Sequence, residues 1–153
     1  RSAVPLTPLY AAAGGWSQDQ LDLVPLDWVE DWVSYDTSTK FEPDMFVALV
    51  EGDSMEPVIP DGSYCLFRYV KGTPRDGKPA VVWHESLSDP QTGGKYTIKY
   101  LTVEPTDGTR EGRVILKPAN KKYEPITLPL EQEDEFRVIA EFLEVLRGDA
   151  ARN

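Results

Sequence analysis

The chain has 153 residues, the length of one ordinary domain, and 41% of them are apolar, enough for a packed core. Its 26 acidic and 16 basic residues leave a formal charge of −10, which speaks against this chain gripping a phosphate backbone by itself. Eleven glycines and 13 prolines disfavour an all-helical bundle, the single Cys65 excludes a disulfide framework or a Cys-based zinc cluster, and the single His84 excludes a multi-histidine metal site.

Residues 1–44 read as an irregular N-terminal arm, punctuated by Pro5, Pro8, Gly14, Gly15 and Pro25. Trp16, Trp28 and Trp32 are expected to pack this arm onto the remainder, residues 45–153. From Met45 the chain becomes a series of strands: Met45–Val50, Ser63–Val70, Ala80–His84, Tyr96–Leu101, Arg113–Leu116, Ile126–Leu130 and Phe136–Leu146. The last run is ambiguous between strand and helix; its leading β-branched and aromatic residues favour strand. Turn signals separate the runs at Pro60-Asp61-Gly62, Arg75-Asp76-Gly77, Gly93-Gly94 and Asp107-Gly108. The expected fold is mainly β, a barrel-like domain preceded by an arm. The acidic stretches at Asp27–Asp31 and Glu131–Glu135, and the small basic spots Arg68/Lys71 and Lys121-Lys122, read as solvated surface. His84 reads as a surface or strand-end residue and Cys65 as a buried, inert thiol. No stretch approaches the ~18 consecutive apolar residues of a membrane span, and no signal segment opens the chain, so a cytoplasmic location is expected. The start at Arg1 rather than Met suggests a piece of a longer protein.

Glu51–Gly62, EGDSMEPVIPDG, carries the most chemistry. A serine that follows a strand on a Gly-containing turn can expose its hydroxyl and aim its own N–H at a bound carbonyl, which are two needs of a serine nucleophile. Taken alone, Ser54 is better read as an ordinary turn serine bonded to its own backbone.

Residues 47–62, VALVEGDSMEPVIPDG, closely resemble the nucleophile segment of the LexA-like and UmuD-like serine peptidases, the self-cleaving repressors and their relatives. The resemblance implies that Ser54 is the catalytic serine and that the backbone amides of Asp53 and Ser54 form the oxyanion hole. The family pairs its serine with a lysine on a later strand; Thr97-Ile98-Lys99-Tyr100-Leu101 matches that pattern and makes Lys99 the base. An exposed lysine, with a pKa of ~10.4, holds its proton at neutral pH, so the role requires burial. Strand alternation puts Lys99 on one face with Thr97 and Leu101, opposite Ile98 and Tyr100. Lys95 is a rival, but the two glycines before it place it in a loop. Leu116–Ile126, LKPANKKYEPI, matches a further family segment through Leu116, Pro118, Asn120, Tyr123, Pro125 and Ile126, which read as structural. Pro5–Gly15 resembles the family's self-cleavage region, with Ala13-Gly14 as the scissile bond.

Two features depart from the pattern. Ser54 and Lys99 are 45 residues apart, longer than usual, and the excess falls in the polar loop Glu85–Gly94. Leu26–Glu42 has no family counterpart. The resemblance further implies a self-cleaving LexA-like repressor or stress-response protein that needs no metal or organic cofactor, forms a homodimer, is triggered by a RecA-like recombinase filament on DNA, and touches DNA only through a domain outside this chain. The competing expectation is a catalytically silent dimerisation or regulatory module of a larger DNA-acting protein. A signal-peptidase role, which shares Ser-Lys chemistry, lacks the expected membrane anchor.

Overall fold

The computed structural model describes residues 2–14, 31–35, 39–70, 77–105, 112–130 and 136–146. Among the described residues, nine strands and one short helix follow in chain order: β1 Ser2–Leu6, α1 Leu9–Gly14, β2 Asp31–Tyr35, β3 Met45–Val50, β4 Ser63–Tyr69, β5 Pro79–His84, β6 Tyr96–Pro105, β7 Gly112–Lys117, β8 Ile126–Leu130 and β9 Phe136–Val145. They form one mixed sheet in the order β2-β1-β3-β4-β9-β5-β6-β7-β8. Neighbours are antiparallel except β1 and β3, which run parallel at Leu6 and Val47. The β-rich class expected from the sequence is observed, and β9 resolves the Phe136–Leu146 ambiguity as strand.

β3 and β5 are near-continuous apolar runs because they pack on both faces, the usual reason a strand loses its polar alternation. On β3, Phe46, Ala48 and Val50 enter the largest cluster, while Met45 and Val47 enter a second with Val4, Leu6 and Leu66. On β5, Val81 belongs to the first cluster, and Ala80 and Val82 to a third with Val114, Leu116 and Leu128. β9 reaches all three: Ile139, Ala140 and Phe142 lie in the first, Leu143 packs on the second, and Phe136 and Val138 pack on the third. Its register shifts against β4 at Leu66/Phe67 and against β5 at Val81/Val82, and such bulges bend a sheet where it must wrap its core.

The arm is more regular than its prolines suggest. Val4 and Leu6 of β1 bury against Met45 and Val47, and the Thr7 amide donates to the Val47 carbonyl at 2.8 Å. Leu9 and Ala12 of α1 join the largest cluster. The alternation of Val4 and Leu6 was the strand signal, masked by Pro5. Trp32 is 48% exposed on β2 rather than packed inward; Trp16 and Trp28 lie outside the described residues, as do residues 131–135 of the second acidic stretch. Arg68 is not simply solvated but pairs with Glu42 and Asp44. His84 ends β5 as expected, yet it is fully buried rather than at the surface, and its Nδ1 accepts the Ser86 amide at 2.9 Å. Cys65 is buried, and desolvation pushes its thiol up to about 12.

Phe46 anchors the core, its ring 5.4 Å from Phe67 and 4.9 Å from Tyr69 between centroids. Phe46→Ala is expected to destabilise the domain by about 3–5 kcal/mol, read as a lower urea midpoint at unchanged slope.

Candidate active site

β3 ends at Val50 and the chain turns through Glu51, Gly52 and Asp53. Gly52 adopts φ +104°, a conformation that side chains disfavour, and its amide donates to Asp61 Oδ1 at 2.7 Å. The Glu56 amide then bonds the Asp53 carbonyl at 3.1 Å, the Ile59 amide bonds the Met55 carbonyl at 2.8 Å, and the Gly62 amide closes back on Val50 at 2.8 Å before β4 begins. Buried Met55 and Ile59 pin this turn to the core. Ser54 therefore rides a turn fixed by backbone hydrogen bonds on one side and apolar packing on the other.

Lys99 comes from the middle of β6, opposite Ala80 of β5. Its ammonium nitrogen lies 3.1 Å from Ser54 Oγ and 2.6 Å from Thr97 Oγ1, and Asp89 Oδ2 stands 3.9 Å away. Thr97 shares the face of Lys99 as alternation requires, while Ile98 joins the core from the other face. Lys99 is only 5% exposed, and desolvation lowers its pKa below the ordinary lysine value, partly opposed by the Asp89 carboxylate. Lys95 pairs with Glu85 on an exposed loop, so the rival base does not share this environment.

The backbone at Ser54 is oriented from across the molecule. Asn120 Nδ2 donates to the Asp53 carbonyl and the Asn120 amide donates to the Ser54 carbonyl, each at 3.0 Å. In a trans peptide the C=O and the following N–H point opposite ways, so holding the Asp53 carbonyl on Asn120 turns the Ser54 N–H to the other side. There it donates to Gln91 Oε1 at 3.3 Å. The Asp53 side chain accepts from the Tyr123 hydroxyl, from Gln91 Nε2 at 3.0 Å and from Lys122 Nζ at 3.3 Å. The Tyr123 hydrogen bond above all, with help from Lys122 and Gln91 and against burial, holds this carboxyl below its usual range.

Ser54, Lys99 and the Asp53–Ser54 backbone thus come together across 45 residues of sequence. Ala13 and Gly14 are the last two residues of α1, and their bond is helical in this structure. Sequence reasoning missed Asp89 and Gln91, both in the loop treated as spare length. An Asp-Pro turn signal marks that loop, but nothing local says which way its side chains face. Asn120 and Tyr123, which read as structural in the sequence, hold the Asp53 carbonyl and the Asp53 side chain. Among the described residues no cluster of three metal-ligating side chains occurs, and no helix is long and apolar enough to cross a membrane.

A hydroxyl held against an amine that burial makes easier to deprotonate is a means of activating a nucleophile, and the β-rich fold that carries it is a serine-peptidase fold. The chain belongs to the Peptidase S24-like family, whose model matches residues 7–143. None of the curated proteins compared with it matches.

Asp89→Asn keeps the side-chain oxygen that holds its loop and removes the negative charge. The Lys99 pKa is then expected to fall further, because desolvation is left unopposed, and NMR titration of the lysine side-chain carbons measures the change.

Proposed function

We propose that this domain hydrolyses peptide bonds with Ser54 as nucleophile and Lys99 as general base, and that it cuts its own chain between Ala13 and Gly14. The observation that carries the reading is the 3.1 Å contact between Ser54 Oγ and the Nζ of a buried lysine. Neutral Lys99 accepts the hydroxyl proton as Oγ attacks the scissile carbonyl carbon. The Thr97 hydroxyl fixes the amine, and the backbone amides of Ser54 and Asp53 receive the developing oxyanion. Protonated Lys99 then donates to the leaving amine, and water hydrolyses the acyl-serine.

A scissile bond must lie extended beside the nucleophile, so the last turn of α1 unwinds before Ala13-Gly14 reacts. A helix this short, ending in glycine, is inexpensive to unwind. Family membership supports placing the domain in a LexA-like repressor or stress-response protein, dimeric and cytoplasmic, triggered by a recombinase filament and bound to DNA through another domain. The charge of −10 agrees with DNA contact lying elsewhere.

Intact mass after incubation tests the reading. Wild-type protein is expected to lose residues 1–13, while Ser54→Ala and Lys99→Ala slow that loss by at least about a thousandfold. A folded wild type that stays whole at every pH leaves the silent dimerisation or regulatory module as the better description.

The pH dependence follows from the direction of the Lys99 shift. The reactive form is the neutral amine, so the rate rises with pH until it levels above the Lys99 pKa. Because burial lowers that pKa, the plateau begins below the ~10.4 of an exposed lysine. Asp89→Asn moves the rise to lower pH, visible in rate profiles of the two proteins.

A further inference from the structure

The Ser54 amide, the donor that an oxyanion needs, is already in use. Gln91 Oε1 accepts from it at 3.3 Å, and the other end of the same carboxamide donates to Asp53 Oδ1 at 3.0 Å and to the Tyr123 hydroxyl at 3.1 Å. Those two acceptors decide which end of the carboxamide is nitrogen, so the oxygen is committed to Ser54. The Gln91 backbone is anchored as well: its amide donates to Asp89 Oδ1 at 2.8 Å, in a turn closed by Gly93 N to Asp89 O at 2.7 Å and Asp89 N to Gly94 O at 3.1 Å.

Gln91 also fills the space. It lies so close over Gly52 that a Cβ there would come within 2.4 Å of its Oε1. The cavity left beside Ser54, lined by Gly52, Met55, Asp89, Gln91 and Thr97 among others, measures about 20 Å³. That is about the room one water needs.

We propose that Gln91 is a gate on the oxyanion site: its carboxamide oxygen occupies the place of the scissile carbonyl oxygen, and an incoming peptide must displace it before Ser54 can attack. The proposal rests on the peptidase reading above and adds a control to it. A primary carboxamide presents the same acceptor as a peptide carbonyl, so the gate competes with substrate for one donor. At 3.3 Å its hydrogen bond is longer than the usual ~2.9 Å, as suits a contact that must be released. Asn120 holds the Ser54 N–H in place from the opposite side, so the donor stays aimed at the pocket when Gln91 leaves.

The test compares wild type, Gln91→Ala, Gln91→Ser and Ser54→Ala for the second-order rate of labelling by a fluorophosphonate, whose P=O oxygen uses the same donor. Self-cleavage is followed by mass, folding by circular dichroism, and the Ser54 amide by ¹⁵N–¹H NMR. Both Gln91 variants are expected to label and cleave about tenfold faster, the fold-change of one net hydrogen bond, with the Ser54 amide signal displaced and exchanging faster with solvent. A wild type that reacts at Ser54, with Gln91 variants that react no faster or more slowly, overturns the gate and leaves the peptidase reading standing. Folded proteins that are all as unreactive as Ser54→Ala overturn both. An unmoved Ser54 amide in Gln91→Ala also overturns the gate, whatever the rates.

Discussion

Burying an ammonium group is costly, and the surroundings of Lys99 are arranged around that cost. Its Nζ has lost nearly all contact with solvent and meets three polar groups instead: the Thr97 hydroxyl, the Ser54 hydroxyl and, at longer range, the Asp89 carboxylate. Each comes from a different part of the chain, namely the same strand, the turn after β3 and the loop after β5. The opposing influences of desolvation and Asp89 leave the amine lowered yet still partnered in its charged form. A fully apolar pocket would strand the charged lysine, and a solvated one would keep its proton on. The turn, the loop and the β5–β6 pairing serve that intermediate environment.

Two layers of hydrogen bonding surround the serine and act at right angles in purpose. Asn120 fixes main-chain carbonyls and thereby the direction of an N–H. Asp53, Tyr123 and Lys122 form a polar knot that fixes a side chain, Gln91. Asp89 links the two, with one carboxylate oxygen on the Gln91 backbone and the other facing Lys99. The loop expected to be spare length is therefore in touch with both the Lys99 amine and the Ser54 amide.

Much of this could be read from the sequence, for definable reasons. The strands from β3 onward were legible because runs such as MFVALV and PAVVWH are continuous, apolar and bounded by turn residues. Ser54 and Lys99 were legible only through resemblance, since a turn serine and a strand lysine are common and neither marks the other. β1 was hidden because prolines outweighed the alternation of Val4 and Leu6. Burial of His84 was hidden because a polar residue at a strand end gives no sign of which elements close over it. Asp89 and Gln91 were hidden for a related reason: loop sequences specify a turn, whereas the partners of their side chains are set by segments tens of residues away.

The position of β9 has a consequence for when the molecule can work. The strand latest in sequence sits at the middle of the sheet, between β4 and β5, so the ladder falls into two halves until it arrives. Ser54 belongs to the earlier half and Lys99 to the later one. On a ribosome, each half can pair its own neighbouring strands as it emerges, but they acquire their common backbone ladder only once residues 136–145 have been delivered. A chain still being synthesised therefore lacks the strand that draws serine and lysine into register. The order in which the sheet is built thus keeps Ser54 and Lys99 on separate half-sheets until β9 pairs with both.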